Sequence, residues 1–187
     1  MNSLIHFQFK GERTYVHGSD FYNKVSLLLG GDEYIKEISF KQITNKNCYL
    51  KNSAEVGDSV AGIVKTEKNQ YVLVEATTSA NGSYQFDEEL LVKSAIIEQN
   101  VISMQMQKTH SLIENIVAMT KKLNYSVNPD VDGKWLFGQL KLDQPFPSNI
   151  SNITIESTRR IPNRFSENAI TIDESYYGKI IFIVGKL

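Results

Sequence analysis

A strand, a short amphipathic helix and then a run of strands occur in that order twice along the chain, starting at Leu4 and again near Leu90. A lone helix beside several alternating strands has few ways to bury both apolar surfaces. The economical one lays the helix against one face of a curved antiparallel sheet, and the doubling predicts two such units in tandem.

In the first half, Leu4 to Phe9 place Ile5, Phe7 and Phe9 on one face and His6 and Gln8 on the other, the period of a half-buried strand. A turn at Lys10-Gly11-Glu12 follows. Arg13-Thr14-Tyr15-Val16 either extends the strand or forms a second short one. From Asp20 to Leu29, Phe21, Val25, Leu28 and Leu29 recur at spacings of three and four, and Gly30-Gly31 supplies a left-handed stop. Strands are predicted over Tyr34–Gln42, Ser59–Thr66 and Gln70–Thr78, and Asn81-Gly82 predicts a tight turn before a further strand through Tyr84 and Phe86.

In the second half, Leu90 to Ile97 reads as a strand buried on most of both faces, and Val101 to Met106 is ambiguous by period. A helix is predicted over Ser111–Asn124, with Leu112, Ile116, Met119 and Leu123 on one stripe and Ile113, Val117 and Thr120 widening it. Strands follow at Lys134–Leu142, Asn152–Thr158, Arg164–Asp173 and Gly178–Gly185. The expected fold class is therefore α+β, with domains at 1–88 and 89–187.

Composition removes several function classes. With 20 basic and 21 acidic residues the net charge is −1, too weak a field to gather nucleic acid or an anionic membrane surface. Apolar runs such as Ile180 to Val184 are far below the roughly 20 residues of a membrane helix. The N-terminus lacks the basic start and apolar stretch of a secretory signal, and Cys48 is the lone cysteine, so the cytoplasm is the expected compartment. Three histidines and one cysteine make no metal-ligand spacing, and the glycine pair closes a helix where a phosphate loop would open one. No metal and no cofactor is expected.

The segment Arg13-Thr14-Tyr15-Val16-His17-Gly18-Ser19-Asp20-Phe21-Tyr22-Asn23 and the closing Gly178-Lys179-Ile180-Ile181-Phe182-Ile183-Val184-Gly185, set in this twice-run layout, resemble a double-hotdog protein of the thioesterase and dehydratase superfamily. The resemblance covers nearly the whole chain. It implies two tandem hotdog-like units, each a helix wrapped by a curved antiparallel sheet, and a substrate that is an acyl thioester of coenzyme A or of acyl carrier protein.

His17, just before a helix start, is the candidate general base, and its position resembles the dehydratase histidine. The glycine and proline spacing that follows the family's histidine is not reproduced by Gly18-Ser19-Asp20-Phe21. Asp20 is the candidate carboxylate that activates water or accepts a proton; its structural alternative is a helix cap. His110 and Glu114, four apart, would share a helix face, and the resemblance implies Glu114 as an acid facing His17 from the other unit. Against this, Ser111-Leu112-Ile113-Glu114 also fits a capping box.

Arg159 and Arg160, with Arg164 and Lys186, are candidates to hold a coenzyme phosphate or the acidic face of a carrier protein. Adjacent strand residues face opposite ways, so at most one of Arg159 and Arg160 can serve a given ligand, and a solvated strand edge is the alternative. Trp135, Phe137 and Tyr71 read as core. Three functions stay open: a thioesterase or dehydratase, a non-catalytic acyl-binding or assembly module of the same fold, and a single curved sheet around a small hydrophobic ligand. Free strand edges also allow a homo-oligomer.

Overall fold

The computed structural model describes residues 1–31 and 33–186. The chain is α+β, with long antiparallel strands and few helices, and its contacts divide into two compact units, Met1–Asp87 and Glu88–Leu187. Among the described residues no helix is long and apolar enough to cross a membrane.

The first unit contains β1 (Asn2–Ile5), β2 (Phe9–Lys10), α1 (Gly18–Leu29), β3 (Ile35–Phe40), β4 (Lys46–Lys51), β5 (Val60–Thr66), β6 (Gln70–Ser79) and β7 (Ser83–Tyr84). Its main sheet runs β1-β4-β6-β5-β3, antiparallel throughout. Helix α1 forms because Phe21, Val25 and Leu29 recur every fourth residue, and all three are buried. Leu28, expected on that stripe, turns outward. The stripe meets the sheet through Phe21, whose ring centroid lies 4.5 Å from Phe7 and 5.5 Å from Phe40. Gly30 ends the helix at φ 66°, returning its N–H to the Leu27 carbonyl at 3.2 Å.

Three features of this unit differ from expectation. The opening strand stops at Ile5, because the Phe7 N–H donates to the Asn47 side chain (2.8 Å) and the Phe9 N–H to the Gly82 carbonyl (2.9 Å). No turn forms at Asn81-Gly82; the segment leads directly into β7, which stops at Tyr84 short of Phe86 and pairs parallel with β2. Strand β4 went unanticipated, since its lysine ends mask the buried Asn47, Cys48 and Leu50.

The second unit contains α2 (Glu88–Leu91), β8 (Ile96–Glu98), β9 (Val101–Gln105), α3 (Leu112–Val127), β10 (Lys134–Leu142), β11 (Asn152–Ile161), β12 (Phe165–Ile172) and β13 (Ser175–Gly185). The strand expected over Leu90–Ile97 is instead a helical turn followed by β8. Glu88 and Glu89 suit the positive end of that turn, and α2 is held to α3 by the Lys121–Glu88 ion pair (2.7 Å). The ambiguous segment is strand β9.

Helix α3 runs one turn past Asn124 and packs on β9, β10, β11 and β12. Its stripe is as wide as the sequence implies: Ile113, Ile116, Val117, Met119, Thr120 and Leu123 are all buried. Full burial of each large apolar side chain stabilises the unit by roughly 1.5–3 kcal/mol.

In each unit two strands precede the longer helix, α1 or α3, and four strands of the main sheet follow it. Their sheets differ sideways. In the second unit the strands lie β10-β13-β12-β11-β9-β8, so β11, β12 and β13 form a meander, whereas in the first unit β6 is inserted between β4 and β5.

Candidate functional site

The candidate groups of the first unit gather at the start of α1. His17, with extended backbone (φ −78°, ψ 143°), is the N-cap; Asp20 is the third residue of the helix and not its cap. The Ser19 N–H points at His17 Nδ1 (3.4 Å), taking up one of the donors that a helix start leaves unpaired. Ser19 Oγ lies 2.8 Å from the same ring nitrogen and accepts from Lys10 Nζ at 2.7 Å. A lysine ammonium only donates, so the serine hydrogen is left to point at Nδ1. Two donors aimed at Nδ1 make it the acceptor and put the ring proton on Nε2.

Lys10 sits at the core of the cluster, with no exposure to water. Its ammonium is 3.1 Å from Asp20 Oδ1 and 4.3 Å from the centre of the Phe86 ring, an added cation–π attraction. The Tyr84 hydroxyl donates to the same Asp20 Oδ1 at 2.7 Å. The other oxygen, Asp20 Oδ2, is buried and accepts no hydrogen bond among the described residues. Both Lys10 and Tyr84 are placed by the parallel β2–β7 pair, in which they are register partners, with the Gly11 N–H reaching the Tyr84 carbonyl at 2.8 Å. The sequence pattern missed Lys10, Ser19 and Tyr84. Lys10 beside Gly11 looks like a turn lysine, and Tyr84 lies 64 positions from Asp20.

Glu114 lies in the second unit and makes both halves of a capping box. Its Oε2 accepts from the Ser111 N–H and hydroxyl, each at 2.9 Å, while the Glu114 N–H reaches back to Ser111 Oγ at 3.4 Å. His110 precedes this cap and is outside the helix, so it shares no helix face with Glu114. Its Nδ1 is 3.0 Å from the Thr109 hydroxyl.

Arg159 and Arg160 are exposed on β11, just past a bulge between Ser157 and Arg159. Arg159 lies over the Phe165 ring at 5.5 Å, while Arg160 donates to the Val127 carbonyl at 3.4 Å. Lys186 pairs with Asp132 at 3.0 Å, both well exposed. Tyr71, Trp135 and Phe137 are buried, and the Tyr71 hydroxyl donates to Glu33 at 3.2 Å.

No protein-family model matches the sequence, and no curated protein does. Among solved structures, the chain matches dehydratase domains of polyketide synthases over nearly its full length. A bifunctional dehydratase-cyclase domain from ambruticin biosynthesis is 8% identical, with a TM-score of 0.47 over 92% of this chain and 83% of that one. A Mycobacterium tuberculosis dehydratase domain determined with C12:1-CoA is 9% identical, with a TM-score of 0.44 over 91% and 85%. A monomeric dehydratase domain from a trans-AT polyketide synthase split module is 9% identical, with a TM-score of 0.44 over 98% and 97%.

Proposed function

We propose that this chain, built as two tandem hotdog-like units, binds acyl thioesters of coenzyme A or acyl carrier protein and hydrolyses them at the His17–Asp20 cluster. The observation that carries this reading is the asymmetry of Asp20: Lys10 and Tyr84 both hold Oδ1, and Oδ2 is buried without a donor. An ion-paired carboxylate only accepts hydrogen bonds. Such a group suits activating a water better than delivering the proton that loss of a β-hydroxyl requires, which favours hydrolysis over dehydration.

In this reading the side chains around Asp20 part on substrate binding to admit one water to Oδ2, which takes its proton as the water oxygen bonds to the thioester carbonyl carbon. The C–S bond then breaks, and the thiolate leaves and recovers the proton. The His17 Nε2–H and the positive end of α1 polarise the carbonyl. The lone buried Cys48 and the near-neutral charge are in keeping with a cytoplasmic setting.

A panel of acyl-CoA and acyl-carrier thioesters, followed for both thiol release and water loss, tests it. Thiol release should fall roughly 10²-fold or more in Asp20→Asn, compared at a temperature where circular dichroism shows both proteins folded. Full activity in that variant would remove the site. A thioester that binds the wild type without turnover would move the reading to a non-catalytic acyl-binding module, which the commitment of Glu114 to its capping box favours.

A further inference from the structure

Alternate residues of β10 to β13 face away from α3, and the register lines them up in rows. Ile161 of β11 is the partner of Phe165 on β12, Phe165 of Ile183 on β13, and Ile183 of Leu136 on β10. Partners directly opposite on antiparallel strands share a face, and the inner face is marked by their buried neighbours Ser166, Phe182 and Trp135. The outer face therefore carries one apolar side chain from each of four adjacent strands. Ile183 is 45% exposed and Ile161 37%, with Phe165 and Leu136 half-buried beside them. Ile181, in the next row, extends the patch. Further along the strands the same face turns polar, where Ala169 is flanked by Glu156 and Lys179 and Lys179 pairs with Lys141. Single exposed apolar side chains are ordinary, but a continuous row of them marks an interaction surface.

Cations flank this row. Arg159 lies two residues from Ile161 on the outer face, its guanidinium over the Phe165 ring at 5.5 Å. Lys134, exposed, lies two residues from Leu136 at the other end of the row, and Arg164, also exposed, adjoins Phe165. None of these three is ion-paired among the described residues. The nearby carboxylates are already taken, Glu167 by Lys179 at 2.8 Å and Asp132 by Lys186 at 3.0 Å.

We infer that the outer face of β10 to β13 is a docking surface for an acidic amphipathic helix of a partner protein. Charge decides against a second copy of this chain, because a two-fold contact would set Arg159, Arg164 and Lys134 against their own likes. Carboxylates beside an apolar stripe would meet all three. The dimensions agree: four strands at a spacing of ~4.8 Å span about 14 Å, the length of two to three helical turns at ~5.4 Å each, so successive anchors three or four residues apart can each meet the row. The relief is low. A Cβ at Gly185 would come within 2.5 Å of Leu136 Cδ1, and one at Gly138 within 3.3 Å of Ile183 Cγ2, so both side chains lie down across bare backbone. Side chains that lie flat suit a helix resting on them better than insertion into a bilayer. The surface belongs to the second unit alone and is independent of the thioester reading.

The test offers the full chain a fluorescent synthetic helix with a leucine stripe flanked by glutamates, a matched helix with lysines in place of the glutamates, and vesicles of phosphatidylcholine with phosphatidylglycerol. The acidic helix should bind saturably and at least roughly tenfold tighter than the lysine helix. In ¹⁵N-labelled protein it should shift the amides of Leu136, Phe165 and Ile183 and leave those of β8 and β9 in place. Ile183→Asp and, separately, the pair Arg159→Glu and Lys134→Glu should each weaken binding by roughly tenfold or more, with melting temperatures near wild type. Absence of saturable binding at millimolar helix, shifts confined to other elements, or unchanged affinity in the variants would overturn the inference. So would a concentration-dependent dimer in ultracentrifugation that Ile183→Asp disperses, which gives the face to a second copy. Vesicle binding lost in the same variants overturns it in favour of a membrane surface.

Discussion

Lys10 Nζ lies 3.1 Å from Asp20 Oδ1, in an ion pair whose lysine is completely shielded from water. Such a pair is sensitive to loss of one partner and tolerant of losing both, because the large cost is an uncompensated buried charge. Asp20→Leu should therefore destabilise the protein by about 3–5 kcal/mol. The double substitution Lys10→Met, Asp20→Leu should recover most of that loss. Urea unfolding of the two single variants and the double variant measures the coupling.

The capping box at Ser111 and Glu114 leads to an opposite expectation for the other acidic candidate. Removing the cap with Ser111→Ala should cost about 1 kcal/mol. Glu114→Ala should lower the melting temperature in the same direction while leaving thioester cleavage, measured well below that temperature, close to wild type. A large loss of turnover in Glu114→Ala would assign it a chemical role beyond the cap.

Cys48 is fully buried, and burial first, with the Glu75 carboxylate second, pushes its thiol up to about 12. The native thiol should resist a disulfide reagent at pH 8 and react only on unfolding. The unfolded chain, with an ordinary thiol near ~8.5, gives up its proton first as pH rises. Stability should then fall by about 1.4 kcal/mol per pH unit between the unfolded and folded values, and change no further on this account above them. The Tyr22 phenol, also raised by burial, acts with the same sign. The difference in slope between wild type and Cys48→Ala from pH 9 to 10.5 isolates the thiol.

Gly178 faces Leu142 across the β10–β13 ladder at φ 142°, and a Cβ there would come within 2.1 Å of the Lys141 carbonyl oxygen. The atoms it would meet are all backbone of Lys141 and Leu142, so no side chain can rotate away. Gly178→Ala should open the end of this ladder and destabilise the chain by more than the ~1 kcal/mol typical of a single substitution. Hydrogen exchange of the β10 and β13 amides would show the loss locally.

The helices were legible because their signals are local. The four-residue recurrence of Phe21, Val25 and Leu29, the left-handed Gly30 and the Ser111–Glu114 box can each be read within one or two turns. The lateral order of strands is not written that way, since a period of two says which face is buried and nothing about which neighbour lies alongside. Strand β4 was hidden by its lysines, and α2 by an apolar run that two glutamates at its start turned helical. The His17–Asp20 proximity follows from their spacing at a helix start. Lys10 and Tyr84 join them only through a two-residue parallel pair, for which no sequence rule exists.

The interleaving of β6 between β4 and β5 bears on how each half reaches its native state. In the second unit two successive hairpins, β11–β12 and β12–β13, can zip from their turns outward, closing only short loops. The first unit has one such hairpin, β5–β6, and brings β1 to β4, β4 to β6 and β3 to β5 across longer stretches of chain, just as the second must bring β9 to β11 and β10 to β13. Pairings of that kind raise the entropic barrier to assembly. Neither half can complete its sheet from hairpins alone, so in both the unpaired strand edges stay open to wrong partners until the distant pairs have closed.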